Sequence, residues 1–399
     1  MTNYRKIMND VLEGKAAEFL PFAPRLEIWY KCNKLRGTLP DKYKNAGMFD
    51  IIDDLDIGLN YMVPDYAQHG GTENTYSTGL GHLFSHVATA HNLSFENIDM
   101  EASIDGYLTT CLFKTPYGNL QTKVLYDDNM IRSGITIPAK KEHLIKSADD
   151  YKAAKYLFEN IAVAPVYDIY DDYIEKIGDR TIRNAMVTFR VSGYHLLMMD
   201  LMEYQDFIYN QSDYPEETEE LCRVIDEYTR KCVEISVGSK ADLITVGAHF
   251  DHMLTGRPLF QERFVPVIKD YSKYLTSMGK KLACHTDSDN DGLMDLYVES
   301  GVQVCDSICT APLTQQTYRD IRRETRGEIT LFGVIPSISV LKNSMTDYDF
   351  EKYLDTLLTE IQSDGGRNVI LAIADTTPPD ADFERVKRIA RLSRQVKPR

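Results

Sequence analysis

The second half of the chain alternates between short apolar runs and longer stretches in which apolar residues recur at helical spacing. The apolar runs are rich in β-branched residues and predict buried strands at 185–189, 242–250, 280–286, 301–308, 328–335 and 368–374. The stretches between them predict amphipathic helices at 215–238, 258–278, 291–299, 315–326, 347–363 and 381–395. Because strands that are apolar throughout are buried on both faces, this alternation indicates a parallel sheet covered by helices.

The first half of the chain adds predicted strands at 21–29 and 58–64, which brings the total to about eight, the number that closes a barrel. The section 70–150 breaks the rhythm, because TTCLFKTPYG and NLQTKVLYDD alternate in polarity around a Pro-Tyr-Gly turn. We therefore predict an α/β fold: a (β/α)8 TIM barrel formed as one domain over 1–399, with an antiparallel β excursion inserted at about 70–150.

Composition and charge narrow the range of partners. Hydrophobic residues make up 43% of the chain and charged residues 26%, which is typical of a globular protein. The formal net charge of −15 disfavours nucleic acid and anionic membrane surfaces as partners. The N-terminal residues lack the apolar core of a signal peptide, no apolar run is long enough to span a membrane, and the seven cysteines are scattered. We expect a cytoplasmic protein.

Polar residues follow several of the predicted strands, and in a barrel of this kind the active site forms where the carboxyl ends of the strands meet. These residues are Glu27, Arg190, His249, Asp251, His252, His285, Asp287, Cys309 and Asp375. Two different strand ends carry histidine together with aspartate. We therefore predict a reaction centre around His249, His285 and Asp287, with Asp251 as a further catalytic candidate and Glu27 and Arg190 as candidates for substrate binding.

The segment His285-Thr-Asp-Ser-Asp-Asn-Asp-Gly292 is the most unusual local feature of the sequence. Residues two apart at the end of a strand point the same way, so His285 and Asp287 are placed to share a ligand. Imidazole and carboxylate together suit zinc or another divalent metal. They equally suit a general acid with its orienting carboxylate, and the spacing alone leaves both possibilities open.

The same segment partly matches a calcium-binding loop. Asp287, Asp289, Asp291 and Gly292 fit the pattern D-x-D-x-D-G, but the twelfth position is Val298 instead of a bidentate glutamate, and a strand precedes the segment. A solvated loop that caps the helix beginning near Gly292 is the simpler explanation of the additional aspartates.

The chain resembles the uroporphyrinogen decarboxylase superfamily, which includes the decarboxylase and corrinoid-linked methyltransferases. The opening YRKIMNDVLEGKAAEFLPF is similar to the family's first helix and strand, and TPYG followed by HLIKSADDYKAAKYLFE is similar to the insert of the methyltransferase-like branch. The order ADLITVGAHFDHMLTGRPLFQERFVPVIKDY, KKLACHTDSDND, LYVESGVQVCDSI is the most specific part of the resemblance. It implies a (β/α)8 barrel with its cleft at the C-terminal mouth.

Two departures from the family pattern bear on the activity. The stretch RLEIWYKCNKLRGTLP has only Arg25 and Arg36 where the decarboxylase carries an arginine-rich segment that grips a polycarboxylated tetrapyrrole. The thiol methyltransferases bind zinc through His-x-Cys and a distant cysteine, and the matching positions here are His285, Asp287 and Asp375. A histidine–carboxylate set is harder than one with thiolates and is better suited to activating a leaving oxygen.

These features favour a methyltransferase that moves a methyl group from an O-methyl small molecule to a corrinoid on a partner protein. The metal would be held by His285, Asp287 and Asp375, with His249 as a further candidate ligand. The alternative is a uroporphyrinogen decarboxylase-like carboxy-lyase that uses no metal and protonates carbon through His249 or Asp251. A binding protein that has lost its chemistry is a third hypothesis.

Overall fold

The computed structural model describes residues 2–60, 78–81, 89–135 and 137–399. Antiparallel strands come first along the chain. Strands β1 (His91–Phe95) and β6 (Ile161–Pro165) pair with each other, and β2 (Asp99–Asp105), β3 (Leu108–Thr115), β4 (Gly118–Leu125) and β5 (Ala139–Glu142) form a four-stranded sheet. The β3–β4 hairpin is the pair of alternating segments predicted around Pro-Tyr-Gly, and the predicted antiparallel excursion is thereby confirmed within the described part of 70–150.

The second sheet has six strands, all parallel, in the order β12-β11-β10-β9-β8-β7. These strands are β7 (Asn184–Thr188), β8 (Leu243–Ala248), β9 (Lys281–His285), β10 (Val304–Ile308), β11 (Thr330–Pro336) and β12 (Val369–Ala374). Every residue of β8, β10, β11 and β12 is buried. All six match predicted strands to within a few residues, because strands covered on both faces are apolar throughout.

Helices separate these strands, and the predicted helices of the second half are confirmed. Among the described residues, the helices of at least seven residues are Tyr4–Leu12, Glu27–Arg36, Met48–Leu55, Tyr151–Glu159, Tyr167–Ile177, Tyr204–Asp213, Pro215–Val237, Val265–Ser277, Met294–Ser300, Tyr318–Glu324, Asp347–Ser363 and Phe383–Ser393. Shorter helical segments in the same described part are Asp41–Tyr43, Asp128–Ser133, Ala148–Asp150, Gly178–Arg180, Gly193–Leu196, Leu197–Leu201, Arg257–Leu259, Phe260–Phe264 and Ser337–Val340. In the described part of the chain, no helix is both long and apolar enough to cross a membrane.

The predicted strand at 21–29 is wrong in its second part, since a helix begins at Glu27. What remains is a short extended segment: Phe22 bridges Leu371 in parallel, and the amide of Leu371 donates to the carbonyl of Pro21 over 2.8 Å. Pro21 and Pro24 have no amide N–H, which limits the ladder this segment can form.

The predicted strand at 58–64 is only partly within the described residues, since 61–64 lie outside them. Its first residues run beside the preceding extended segment: the amide of Gly58 donates to Phe22 over 2.9 Å, and that of Leu59 to Arg180 over 2.9 Å. These bonds connect the edge of the six-stranded sheet at β12 to the residues that lead into β7.

Candidate functional site

The carboxyl ends of the parallel strands carry a cluster of charged side chains. His285 is the last residue of β9, and its register neighbours are Ala248 of β8 and Asp306 of β10. Because the strands are parallel, their carboxyl ends lie at one edge of the sheet. His249, directly after β8, and Asp375, directly after β12, therefore come to the same place as His285.

The imidazole of His285 is held from behind by a buried carboxylate. Its Nδ1 lies 2.6 Å from Oδ2 of Asp306, and the two side chains are 2% and 3% exposed. The other oxygen of Asp306 accepts a hydrogen bond from Nδ2 of Asn60 over 2.7 Å. With Nδ1 donating to Asp306, the Nε2 atom of His285 is directed at the site, which is the arrangement that metal-ligating histidines commonly have.

Two more carboxylates lie in front of His285. Its Nε2 is 3.2 Å from Oδ1 of Asp375 and 3.7 Å from Oδ2 of Asp287. Arg25, which is buried, donates from Nη1 to the same Oδ1 of Asp375 over 2.6 Å. Three carboxylates thus surround one imidazole, and the described contacts bring in one arginine beside them.

His249 forms the other wall of the site. Its Nε2 lies 3.5 Å from Oδ2 of Asp287, and its Nδ1 lies 2.9 Å from Nη1 of Arg190. Phe189 stacks on the His249 ring, with centroids 5.3 Å apart and planes inclined by 29°. Arg190 in turn pairs through Nε with the buried carboxylate of Asp200.

The two histidines have opposite electrostatic environments. Burial disfavours the charged form of His285, but the charge of Asp287 and the hydrogen bonds to Asp306 and Asp375 outweigh burial and raise the pKa of His285 to about 10. Burial dominates at His249, and with Arg190 nearby it lowers the pKa of that imidazole to about 4, although Asp287 opposes the shift. Burial acts against ionisation of Asp375, yet Arg25 and His285 hold the pKa of this carboxyl well below its usual range.

The cluster satisfies the basic geometry of a metal centre. One ligand atom each from His249, His285 and Asp287 can be chosen so that all lie within 4.8 Å of one another. With metal–ligand bonds of about 2.0–2.1 Å, the ligand atoms of a tetrahedral zinc site lie roughly 3.3 Å apart, close to the spacings of His285 Nε2 from Asp287 and Asp375. Oδ1 of Asp287 is buried and has no hydrogen-bond partner among the described residues, so it is available to a ligand.

Several predicted residues converge here and others do not. Arg190, His249, His285, Asp287 and Asp375 form one contact chain. Asp251 instead accepts a hydrogen bond from the amide of Met253 over 2.8 Å in a turn, and no described contact joins it to that chain.

The three remaining strand-end candidates are Glu27, Cys309 and His252, and Cys309 borders the contact chain at Asp287. Glu27 is the first residue of the helix Glu27–Arg36. Cys309 donates from Sγ to the carbonyl of Asp287 over 3.1 Å, and His252 lies 3.9 Å from Asp289.

The aspartates that follow Asp287 do not cap a helix, contrary to our expectation. The helix begins at Met294, and its N-cap, Leu293, has no side-chain hydrogen bond. Asp289 accepts from the amides of Asp291 and Gln315 instead. These bonds tie the loop after β9 to the loop after β10.

The site contains partners that the sequence analysis missed, namely Asn60, Lys140, Asp200 and Asp306. Asp306 had a detectable signal, because it is a charged residue inside the apolar run VCDSI and a buried charge needs a partner. Neither Asp200 nor Lys140 directly follows a strand of the parallel sheet, and no local pattern marks them.

The fold and the site together define an α/β protein with a parallel sheet and a histidine–carboxylate cluster at the carboxyl ends of its strands. No protein-family model and no curated protein sequence matches the chain. Among solved structures, a methyltransferase from Methanosarcina mazei is similar in fold, with a TM-score of 0.51 and 12% sequence identity over 98% of each chain. At this identity the likeness shows a shared fold.

Proposed function

We propose that this protein is a methyltransferase that moves a methyl group from an O-methyl small molecule to a corrinoid acceptor on a partner protein. A divalent cation such as zinc would be held by His285, Asp287 and Asp375. The fold shared with a methyltransferase along nearly the full chain supports this class of activity, as does the resemblance of the sequence to the methyltransferase-like branch. We propose a cytoplasmic location, consistent with the scattered positions of the seven cysteines along the chain.

The observation that carries the proposal is the arrangement of three carboxylates around one buried imidazole. Asp306 orients the ring from behind, while Asp287 and Asp375 face Nε2 from the front. This arrangement places an excess of negative charge beside Nε2 of His285. It also leaves Oδ1 of Asp287 buried and without a hydrogen-bond partner among the described residues. A divalent cation would neutralise that charge and complete the donor set.

In the proposed reaction, negative charge develops on the leaving oxygen of the methyl donor. The methyl–oxygen bond of the donor breaks with its electron pair remaining on oxygen, and the methyl group forms a bond to cobalt(I) of the acceptor. A bound divalent cation supplies Lewis-acid polarisation of that oxygen. His285, Asp287 and Asp375 would hold the cation. Asp306 and Asn60 fix the orientation of His285, and Arg25 fixes Asp375.

We also propose that the parallel sheet curves into the eight-stranded barrel, with 1–399 as one domain and the antiparallel strands as its insert. Strands three places apart in a flat sheet lie roughly 14 Å apart, yet His285 at the end of β9 lies 3.2 Å from Asp375 after β12. The hydrogen bonds at Phe22 and Gly58 add two extended segments beyond β12, as seventh and eighth strands would require.

The test begins with the zinc content of the protein purified without chelator, beside His285→Ala and Asp287→Asn. We expect about one zinc per wild-type chain and its loss in both variants. The loaded protein is then given cob(I)alamin, free or protein-bound, and a series of aryl and alkyl methyl ethers, with methylcobalamin followed by absorbance. Absence of methyl transfer with every ether would refute the proposal.

The decarboxylase alternative gives a different result in the same experiments. It predicts a protein without zinc. It also predicts that carbon dioxide is released from a carboxylate substrate even when a chelator is present. The described site offers such a substrate few uncommitted cations, because Arg25 and Arg190 each pair with a carboxylate. We therefore keep it as the outcome that a metal-free wild type would favour.

A further inference from the structure

We infer that Arg190 is a positioning residue that fixes His249 as a hydrogen-bond donor at Nε2, so that His249 faces the reacting oxygen and is not a metal ligand. The identity of that oxygen rests on the proposed function. The state of the His249 ring does not, because it follows from the contact with Arg190.

The guanidinium of Arg190 can only donate hydrogen bonds, whereas a nitrogen of the neutral His249 imidazole can donate or accept. A guanidinium has five N–H donors and no acceptor, so the 2.9 Å contact between Nη1 of Arg190 and Nδ1 of His249 requires a lone pair on Nδ1. A neutral imidazole with a bare Nδ1 carries its proton on Nε2. The nitrogen of His249 that faces Asp287 is therefore a donor, and it has no lone pair to give to a cation.

This tautomer distinguishes His249 from His285, although both lie near Asp287. In His285 the Nδ1 atom donates to a carboxylate and Nε2 is the nitrogen that faces the site. In His249 the hydrogen bond at Nδ1 runs the other way: Nδ1 accepts, because its partner is the cation of Arg190. The spatial cluster of both histidines with Asp287 thus divides into one histidine that can bind a metal and one that donates a hydrogen bond.

Arg190 is itself held in place from the antiparallel sheet. Its Nε donates to Oδ2 of Asp200, and Nζ of Lys140 in β5 donates to the other carboxylate oxygen and to the carbonyl of Asp200. All three side chains are largely buried. Gly81 packs on this carboxylate so closely that a Cβ there would lie 2.8 Å from Cγ of Asp200. The antiparallel strands therefore help to set the orientation of the Arg190 guanidinium.

The His249 ring has little freedom to turn away. The residue has a φ of 57°, in the left-handed region that non-glycine residues rarely adopt, and the ring stacks on Phe189. Its Nε2 atom lies 3.5 Å from Oδ2 of Asp287. A substrate oxygen bound beside Asp287 would accept a hydrogen bond from this Nε2–H as negative charge develops on that oxygen. The proton would stay on His249.

The first experiment needs no activity measurement, and its only variant serves to assign the signal. The protein is labelled with 15N-histidine, and long-range proton–nitrogen correlation spectra are recorded at pH 7.5, with His249→Gln used to assign the signal. We expect the Nε2–H pattern for His249. A pattern with the proton on Nδ1, or on both nitrogens, would overturn the inference.

Variants then test the role of Arg190. In Arg190→Met we expect the His249 signal to move toward a mixture of tautomers. Arg385→Lys is the matched control, because Arg385 is equally buried and pairs with Asp347 and with backbone carbonyls away from the site. An unchanged His249 signal in Arg190→Met would refute the positioning role.

Zinc binding and activity give the second line of evidence. We expect His249→Ala and His249→Gln to bind zinc with wild-type stoichiometry, while methyl transfer falls about 100-fold in the alanine variant and less in the glutamine variant, whose amide can still donate. Loss of zinc from His249→Ala would overturn the inference. A wild-type protein that shows the Nε2–H pattern but transfers no methyl group would refute the proposed function alone.

Discussion

Nδ1 of His285 and Oδ2 of Asp306 lie 2.6 Å apart across two adjacent parallel strands, where the two residues are register partners. Both side chains are almost fully buried, and Nδ2 of Asn60 donates a hydrogen bond to the second oxygen of the carboxylate. The bond fixes which face of the ring meets the site. It also supplies the negative charge that makes Nε2 a better ligand.

Replacing this carboxylate should weaken metal binding without removing a ligand. In Asp306→Asn the amide oxygen can still accept from His285, but the charge is lost. We expect zinc affinity to fall about 10–100-fold, the usual effect of losing the partner of a metal-ligating histidine. Competition with a chromogenic chelator measures it. Asp53→Asn, which removes the remote partner of Arg180, is the control and should leave the affinity unchanged.

Zinc binding should release a proton from His285. The carboxylates around the ring outweigh burial and raise its pKa to about 10, so Nε2 is protonated at neutral pH when no metal is bound. Proton and metal then compete for one lone pair, and the affinity should rise about tenfold per pH unit between pH 6 and 9. Calorimetry in two buffers of different ionisation enthalpy should show about one proton released. Zinc binding that is independent of pH would contradict this prediction.

The parallel sheet and its helices could be predicted because each buried strand is a continuous apolar run, as in NVILAIA for β12. Arg190, His249, His285, Asp287 and Asp375 could be selected because they follow those runs directly. The error at Glu27 has a local cause: the sequence PFAPRLEIW is apolar enough for a strand, but its prolines cannot sustain a ladder and a helix starts within it.

The contacts behind the site could not be predicted. Asp306 meets His285 through strand register, and Asp200 meets Lys140 through the packing of the antiparallel strands on the core. Neither relationship leaves a periodic signal along the chain. The same holds for the division of roles between the two histidines, which depends on whether the partner of Nδ1 is Asp306 or Arg190.

Asp226 should make the folded protein less stable as the pH rises. Burial is the main cause that raises its pKa to about 6, and the hydrogen bond from the amide of Gly193 over 2.6 Å only partly opposes this. A carboxyl with a higher pKa in the folded state binds more protons there than in the unfolded chain. Its contribution to stability is therefore present below about pH 4 and is lost as the pH rises through about 6.

Asp226→Asn removes this dependence while keeping an oxygen that can accept from Gly193. We expect the variant to be more stable than wild type by up to about 3 kcal/mol at pH 7.5, and the difference to shrink toward zero near pH 4. Chemical denaturation at both pH values measures it. Asp355→Asn, on an exposed face of the helix Asp347–Ser363, is the control and should change little. Equal effects of Asp226→Asn at both pH values would contradict the prediction.

Gly193 should tolerate no side chain, because the chain there lies directly against the helix Pro215–Val237. A Cβ at Gly193 would lie 2.3 Å from the carbonyl oxygen of Cys222 and 2.6 Å from its Cα, and backbone atoms cannot turn aside as a flexible side chain can. The two segments would have to separate, which would also strain the bond to Asp226. We expect Gly193→Ala to lower the free energy of unfolding by about 1–3 kcal/mol or more.

The matched control is Gly47→Ala, since the nearest atom to a Cβ there is the mobile carboxylate of Asp50 at 3.3 Å and the φ of −76° suits any residue. We expect Gly47→Ala to cost well under half as much as Gly193→Ala in the same denaturation experiment. If Gly193→Ala were as stable as wild type, the close approach of these two segments would be wrong. The position of Arg190, three residues before Gly193, would then need revision as well, and with it the orientation of His249.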